Sequence, residues 1–173
     1  MLLTENPTRQ QVGETTLCRW ESALVNQGSQ PASFAGFTLR VDTFTPEGAK
    51  AHIYKSDWGR EMTPRLEDAP GLPLAVTSGR SCHGSAPSLF VEEADGAWRF
   101  YAVCWPGNWR FTFTMEGEAL FSMDRDMLQV ELAPGERLPL PVVLTAYCPR
   151  GRERRAGRPH RPRRHWRRHR LVQ

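Results

Sequence analysis

The sequence predicts an all-β fold, a two-sheet antiparallel sandwich followed by a disordered basic tail. Short apolar runs recur roughly every ten residues with turn signals between them, which is the pattern of a sandwich. No window of about eleven residues keeps the 3.6-residue apolar period of an amphipathic helix. At 173 residues with 39% hydrophobic content, the chain is long enough to bury the core of one domain.

The first two predicted strands lie in the first fifty residues. Thr15–Val25 contains alternating stretches and ends at the turn signal Asn26-Gln27-Gly28. A second run closes at Thr45-Pro46-Glu47-Gly48 and carries its apolar residues at Phe34, Phe37, Leu39 and Val41.

The middle of the chain predicts a hairpin. Leu74–Thr77 and Leu89–Val91 are short apolar runs. Asp95-Gly96 lies between Leu89–Glu92 and Trp98–Trp105, and Asp-Gly between apolar runs is the strongest short-range hairpin signal.

Strict alternation marks the next strand. Large apolar residues occupy every second position of the segment 109–115, so one face of a half-buried strand should carry Trp109, Phe111, Phe113 and Met115. Met127–Leu132 and Leu140–Ala146 follow as the last predicted strands, separated by Ala133-Pro134-Gly135.

The net charge of +4 is the sum of two unlike parts. Residues 150–173 hold 11 of the 23 Lys and Arg but 1 of the 19 Asp and Glu, a net charge of +10, which leaves −6 for residues 1–149. The acidic body excludes a nucleic-acid-binding surface along the fold itself. The tail has too few apolar residues to offset its ordering entropy, so we expect it to be disordered and to bind polyanions without specificity.

Membrane and metal-site signals are missing from the sequence. No apolar run approaches the roughly 18 residues of a membrane span, and the first residues lack the charged-then-apolar pattern of a secretory signal, so we expect a cytoplasmic protein with no membrane partner. No cofactor or metal is predicted. Reduced thiols are favoured over a zinc site because no C-x-x-C pair is formed by Cys18, Cys82, Cys104 and Cys148.

Three clusters that combine glycine with aromatic or polar residues supply the candidate site. Glycine lets the backbone approach closely, and a tryptophan ring offers a sugar a flat apolar face, while Arg, Glu, Asn and His form directed hydrogen bonds with hydroxyls. The alternative is that the tryptophans pack in the core next to turns. The candidate sugar- or barrel-facing residues are Trp58, Arg60 and Glu61, then Arg80 and His83, then Trp105, Asn108 and Trp109.

No catalytic residue is predicted. Ser81 or Cys82 could be paired with His83, but residues adjacent in sequence rarely face one another, and no G-x-S-x-G elbow is present. A carboxylate pair for glycoside chemistry needs a defined separation across a cleft, which the sequence does not show. Its members would come from Asp57, Glu61, Glu92, Glu93, Asp95, Glu116 and Glu118.

Four motifs in order carry a family resemblance. They are Trp58-Gly59-Arg60-Glu61, Ser81-Cys82-His83 before Pro87, Trp105-Pro106-Gly107-Asn108-Trp109, and Pro134-Gly135-Glu136 before Pro141-Val142-Val143. With these motifs the sequence resembles the N-terminal β-supersandwich domain of family 36 glycoside hydrolases, the bacterial α-galactosidases. Cys82 and Pro106 stand where the family has serine. The resemblance covers roughly residues 15–147 and corresponds to the later half of that domain.

The resemblance implies an accessory role. In the family, catalysis belongs to a (β/α)₈ barrel of ~250 residues that follows this domain, where two aspartates carry out a retaining double displacement on α-galactosides. No position here matches either aspartate, and 30 residues follow Val143, so we expect the chain alone to be inactive. The implied partners are a catalytic barrel or a homo-oligomer, with an α-galactoside as the substrate.

The predicted divisions are an N-terminal arm (1–14), the sandwich (15–147) and the tail (148–173).

The tail begins where the resemblance ends, and two explanations stay open for it. A GC-rich coding sequence read out of frame yields Arg, Pro, Gly, Ala and His, so the tract fits a frameshift product; the alternative is a genuine basic tail on a short protein.

Two other functions also stay open. One is a stand-alone carbohydrate-binding sandwich that stacks sugars on Trp58, Trp105 and Trp109, and the other is a protein that associates with nucleic acid through its tail.

Overall fold

The computed structural model describes residues 2–57, 60–68, 71–78 and 84–150, with the side chains at 56, 57, 60–64 and 66–68 outside the description. Within these residues the secondary structure is β, in agreement with the predicted fold class, and all strand pairs are antiparallel. In the same part of the chain there is no helix with the length and apolar character needed to cross a membrane.

Three sheets contain the strands. The large sheet has eight strands, β1 (Leu2–Val12), β2 (Thr15–Val25), β5 (Lys50–Asp57), β6 (Arg60–Asp68), β8 (Gly84–Glu92), β9 (Trp98–Cys104), β13 (Arg137–Pro139) and β14 (Val142–Cys148). The small sheet has four strands, β4 (Phe37–Thr43), β7 (Leu74–Ser78), β10 (Trp109–Phe113) and β11 (Glu118–Met123). The third sheet pairs β3 (Ala32–Ala35) with β12 (Gln129–Leu132).

The strand order brings distant parts of the chain side by side. The large sheet runs β1-β2-β14-β9-β8-β5-β6, with β13 paired to the end of β2, and the small sheet runs β4-β11-β10-β7. The last strand, β14, therefore lies in the middle of the large sheet between β2 and β9.

Aromatic side chains fill the space between the large and small sheets. On β10, Trp109, Phe111 and Phe113 alternate inward and are at most 1% exposed. The ring of Tyr101, on β9 of the large sheet, has its centroid 5.3 Å from that of Phe113 and 6.2 Å from that of Phe111. One core therefore joins both sheets, and the period of two predicted for β10 is confirmed for these three residues.

The alternation ends earlier than the sequence predicts. β10 stops at Phe113, and Met115 lies in the turn to β11, where it is 66% exposed instead of on the core face. Gly117 holds this turn with a φ of 81°, and its carbonyl oxygen accepts a hydrogen bond from the Phe44 amide at 2.7 Å. A Cβ at position 117 would collide with the Phe44 carbonyl oxygen, so the turn needs glycine.

The single run predicted over positions 34–41 is two strands in two different sheets. β3 pairs with β12, and β4 pairs with β11. Gly36 separates them with a φ of 75°, and its amide donates to the Leu128 carbonyl at 3.0 Å. The prediction was wrong because it joined Phe34 to Phe37 across a three-residue step, where the backbone turns at Gly36 from one sheet into the next.

The hairpin predicted at Asp95-Gly96 is confirmed. β8 and β9 pair in register, with Phe90 opposite Phe100. Gly96 takes a φ of 86°, and the Asp95 carboxylate accepts a hydrogen bond from the Ala97 amide at 2.8 Å. Asp-Gly therefore has the two properties that this turn needs, a side-chain acceptor and a positive φ.

Five strands go beyond those that the sequence analysis predicted, namely β1, β5, β6, β11 and β13. The segment within the predicted arm forms β1, an edge strand paired along its whole length with β2. Its residues are mostly exposed and polar, so no apolar alternation marks them. β5 and β6 form a further hairpin at the other edge of the large sheet.

Hydrogen bonds from the Asn26 side chain link the end of β2 to the third sheet. The residue is 1% exposed, and its side-chain amide donates to the carbonyls of Gln30 at 2.8 Å and Leu132 at 2.9 Å. Its side-chain oxygen accepts a hydrogen bond from the Gly28 amide at 3.0 Å. Every polar atom of this buried side chain is thus paired, as a buried amide requires.

An ion cluster links the two main sheets at one side of the core. Arg99 on β9 donates from Nη1 to both carboxylate oxygens of Asp42 on β4, at 2.9 and 3.0 Å, and from Nε to Glu93 at 2.9 Å. The guanidinium lies 4.6 Å from the centroid of the Tyr147 ring, and the Tyr101 hydroxyl donates to Asp42 at 3.2 Å. The buried charges therefore carry the hydrogen bonds and paired geometry that offset their desolvation.

The cluster shifts two pKa values. Burial opposes the charge on Arg99, yet the carboxylates of Asp42 and Glu93 more than offset it and leave the pKa of Arg99 above its ordinary value. Burial raises the pKa of Tyr101 well above its ordinary value of 10.0, and the Asp42 carboxylate adds to the rise. Tyr101 is therefore held neutral in the folded protein.

We predict that Asn26→Ala lowers the free energy of unfolding by about 2–4 kcal/mol, because it removes three hydrogen bonds, one of them the buried bond to the Leu132 carbonyl. Urea denaturation measures the change. Gln27→Ala, at the exposed next position, is the matched control and should change stability by at most about 0.5 kcal/mol. Equal losses in the two variants would contradict the role of Asn26.

We also predict that stability falls as the pH rises above about 10, in part through Tyr101. The unfolded tyrosine loses its proton there while the folded one keeps it, so the folded state binds more protons and the free energy of unfolding decreases. Tyr101→Phe should make the alkaline slope of stability against pH shallower, as measured by denaturation at each pH. Tyr54→Phe controls for the loss of one tyrosine hydroxyl. An unchanged slope in Tyr101→Phe would refute the assignment.

Candidate functional site

The strand ends that flank the three glycine clusters meet at one end of the sandwich. Ser56, near the end of β5, pairs with Gly84 at the start of β8. Ser78, at the end of β7, pairs with Trp109 at the start of β10. β9 runs antiparallel to β8 and ends at Cys104 on the same side. The strand ends that flank the three clusters are therefore neighbours, although 43 residues lie between Glu61 and Trp105 along the chain.

Trp105 is the exposed aromatic residue of this end among the described positions. It is 40% exposed, and a Cβ placed on Gly107 would lie 2.5 Å from its Nε1 and 3.0 Å from its Cε2. The indole thus lies directly against the glycine backbone, as the pairing of Trp with Gly predicts. Asn108 is half-buried beside it.

Trp109 belongs to the core. It is 0% exposed, and its ring centroid lies 5.8 Å from that of Phe111. Its indole Nε1 has no hydrogen-bond partner. A completely buried ring offers no face to a sugar, so Trp109 has the packing role that the alternative interpretation gives it.

The other candidate residues fall outside what the structure describes in full. Trp58, Arg80 and His83 lie outside the described residues, as does Cys82. Arg60 and Glu61 are the first two residues of β6, and their backbone places them beside the end of β5, where Arg60 pairs with Asp57. Their role stays a prediction.

Most carboxylates considered for glycoside chemistry have structural partners. Glu93 binds Arg99, Glu118 binds Arg40 at 2.9 Å, Glu92 contacts His52 at 3.1 Å, and Asp95 caps its own turn. These groups hold turns and neighbouring strands together. Among the described residues there is also no cluster of three or more His, Cys, Asp or Glu side chains with metal-ligand geometry.

The outer face of the small sheet is polar. One row of paired residues crosses all four strands of that sheet, and it consists of Thr77, Arg110, Ser122 and Thr38. Arg110 forms an ion pair with Asp124 at 3.0 Å. This face has the composition expected of a sheet surface in contact with water.

The outer face of the large sheet carries an aromatic patch on β5, β8 and β9, with charged and polar residues such as Arg19 and Glu21 on β2. Four aromatic rings lie side by side on β5, β8 and β9. We call them the aromatic platform, and they belong to Tyr54, Phe90, Trp98 and Phe100. Phe90 contacts each of the other three rings, with centroid distances of 5.0 Å to Phe100 and 6.4 Å to both Tyr54 and Trp98. Trp98 is 37% exposed, and its ring packs at a tilt against that of His52, with the centroids 4.8 Å apart.

No pattern in the sequence predicted this platform. On β9 the even positions Trp98 and Phe100 face outward, while Tyr101 and Val103 face the core. A strand that is apolar on both faces shows no alternation, so it gives no sign that its second face is partly exposed. The missed signal is the continuous apolar run over positions 100–105, which is typical of a strand covered on both sides.

No protein-family model matches the chain, and no curated protein matches it. Solved structures do match. The α-galactosidase AgaB from Geobacillus stearothermophilus superposes with a TM-score of 0.62 at 15% identity, over 86% of this chain and 22% of that chain. The family 36 α-galactosidase AgaA of the same organism, in complex with raffinose, gives 0.62 at 17% identity over the same shares. The α-galactosidase from Lactobacillus brevis gives 0.58 at 15% identity, again over 86% and 22%.

The chain therefore has a fold that is found as one part of family 36 α-galactosidases. It spans about a fifth of the length of these structures. At such low identity the likeness concerns the fold, and it agrees with the resemblance that the four motifs carry.

We predict that the two tryptophans of the third cluster differ sharply in their effect on stability. Trp109→Ala should lower the free energy of unfolding by about 3–5 kcal/mol because it empties part of the core. Trp105→Ala, at an exposed position four residues earlier, should cost less than about 1 kcal/mol. Urea denaturation followed by circular dichroism measures both. Similar losses for the two variants would contradict the placement of the rings.

Proposed function

We propose that this chain is a non-catalytic accessory β-sandwich of an α-galactosidase-type glycoside hydrolase, with catalysis supplied by another part of the enzyme. The observation that carries the proposal is the fold likeness, which takes in 86% of this chain but 22% of the α-galactosidase chains. A chain of this extent corresponds to a part of such an enzyme, and the four sequence motifs support the same family independently.

The loop end of the sandwich is the surface that we propose faces a catalytic (β/α)₈ barrel. The strand ends that flank the three motif-bearing connections meet there, and Trp105 presents an exposed ring supported by Gly107. Exposed aromatic rings on short connections are common anchors in contacts between domains, because they bury a large apolar area with little loss of side-chain entropy. The loop end would thus help to shape the enzyme without supplying its reacting groups.

The structural carboxylates support a non-catalytic role. A retaining glycosidase needs two carboxyl groups about 5 Å apart on either side of the scissile bond. Here Glu93 is 6% exposed and engaged by Arg99, and Glu118 is engaged by Arg40. Both carboxylates therefore maintain contacts across or between sheets. An α-galactoside would be the substrate of the whole enzyme.

We predict that the purified chain does not hydrolyse a chromogenic α-galactoside and that galactose or raffinose leaves its tryptophan fluorescence unchanged. Trp105 is exposed enough to report a bound sugar. Turnover that Glu61→Gln abolishes would reveal a catalytic group in this chain and contradict the proposal. Turnover that persists unchanged when each of the candidate carboxylates is replaced in turn, and in the surface control Glu47→Gln, belongs to a contaminating enzyme.

The fluorescence titration tests the alternative of a sugar-binding module. A saturable change that Trp105→Ala removes would show that the loop end binds sugar by itself, which the accessory role does not predict. A change that persists in Trp105→Ala would place a sugar elsewhere and would also count against the proposal.

A further inference from the structure

We propose that the basic tail, residues 150–173, docks on an acidic end of its own sandwich and that this contact competes with the binding of polyanions to the tail. The acidic end, as we call it, consists of the connections 44–49, 93–97 and 114–117, at the end of the sandwich opposite the glycine clusters. The inference is independent of the accessory role in an α-galactosidase. It follows from the charge of this end, from the place where the tail begins, and from an apolar depression beside the carboxylates.

The three connections of the acidic end contact one another. The Thr45 amide donates to a carboxylate oxygen of Glu93 at 2.9 Å, which joins the first connection to the second. The Phe44 amide donates to the Gly117 carbonyl at 2.7 Å, which joins the first connection to the third. The acidic end is therefore one continuous surface.

This surface is strongly acidic. Its connections contain no lysine or arginine, and their acidic residues are Glu47, Glu93, Asp95 and Glu116. These 15 residues carry a net charge of −4, against −6 for all 149 residues of the body. Arg99 pairs with Glu93, whereas Glu47 and Glu116 are exposed and form no ion pair with another described residue. Carboxylates that face water in this way attract a cationic segment.

The tail begins at the acidic end. β14 ends at Cys148, which pairs with Trp98 at the start of β9. The Arg150 side chain lies against the acidic turn, since a Cβ placed on Gly96 would be 3.3 Å from its Cδ. Another 23 residues follow Arg150 and can span up to about 75 Å when fully extended. The tail is therefore long enough to reach every part of the acidic end.

Covalent attachment favours this contact. A tethered segment meets a site on its own chain at an effective concentration in the millimolar range. Residues 150–173 carry +10, so the tail and the acidic end are complementary in charge. Salt screens such exposed charges, so the contact should weaken as the ionic strength rises.

An apolar depression gives the acidic end a place for an aromatic anchor. Its volume is about 170 Å³, and it is lined by Pro46, Glu47, Leu72 and Met115. Met115 is 66% exposed, and a methionine sulfur makes favourable contacts with aromatic rings. The tail has one aromatic residue, Trp166, with arginines within two positions on both sides. The depression therefore suits Trp166, and the carboxylates beside it suit the flanking arginines.

Docking lowers the affinity of the tail for polyanions. Arginines that contact carboxylates of the body are not available to phosphate groups, so a polyanion has to displace the acidic end before it binds. The contact is thus autoinhibitory, and removing charge from the acidic end should strengthen polyanion binding.

The first test is the rate at which trypsin, which cleaves after arginine, removes the tail from the full chain in 50 mM NaCl. Glu47→Gln combined with Glu116→Gln, and separately Met115→Ser, should each increase this rate at least about twofold, as measured by mass spectrometry. Asp126→Asn combined with Glu131→Gln removes two exposed carboxylates on and just before β12 and should leave the rate unchanged. Circular dichroism confirms that each variant is folded.

The second test is the affinity of the full chain for a 20-nucleotide oligothymidylate, followed by fluorescence anisotropy in 50 mM NaCl. The combined Glu47→Gln and Glu116→Gln variant should bind at least about threefold more tightly than the unaltered chain, because the competing carboxylates are gone. The combined Asp126→Asn and Glu131→Gln variant has the same net charge and should bind within about 1.5-fold of the unaltered chain.

Each outcome bears on the proposal. Unchanged trypsin cleavage in the Glu47→Gln and Glu116→Gln variant would overturn the docking, and faster cleavage without tighter oligonucleotide binding would overturn the competition. Equal gains in affinity for this variant and the control would mean that net charge alone acts, which also contradicts the proposal. Protection that grows between 1 and 50 µM protein would place the tail on another copy. If the double variant fails to fold, Met115→Ser decides.

Discussion

The contact between Tyr101 of the large sheet and the rings of Phe111 and Phe113 in the small sheet is the interaction on which the structure depends. It brings the two sheets together over an aromatic core, with ring centroids 5.3–6.2 Å apart. The Tyr101 hydroxyl also reaches Asp42, which holds Arg99 at the edge of the same core. The Tyr101 side chain thus takes part both in the aromatic packing and in the hydrogen-bond network. It therefore fixes the position of one sheet relative to the other as well as holding the two in contact.

Once the sheets are fixed, every other surface follows from their geometry. The strand ends that flank the three glycine clusters lie together at one end of the sandwich, because Ser56 pairs with Gly84 and Ser78 pairs with Trp109. The two outer faces point away from the core in opposite directions and differ in chemistry. One is polar and suited to water, while the other carries the aromatic platform.

These surfaces are compatible with one another. The loop end, proposed to face a catalytic barrel, consists of connections between strands, and the aromatic platform lies on the flat of the large sheet. The core carboxylates meanwhile serve the fold, through contacts such as that of Glu93 with Arg99.

The sequence by itself determined which residues share a face of one strand and where tight turns fall. The alternation of Trp109, Phe111 and Phe113 and the Asp95-Gly96 hairpin were predictable because period and turn chemistry are local properties. Only the tertiary structure decided that Gly36 passes the chain from one sheet to another, that Trp109 is buried while Trp105 is exposed, and that Phe90, Trp98 and Phe100 form one surface. The physical reason is that sheet membership and coverage depend on pairing between residues far apart in the chain, which a local pattern does not record.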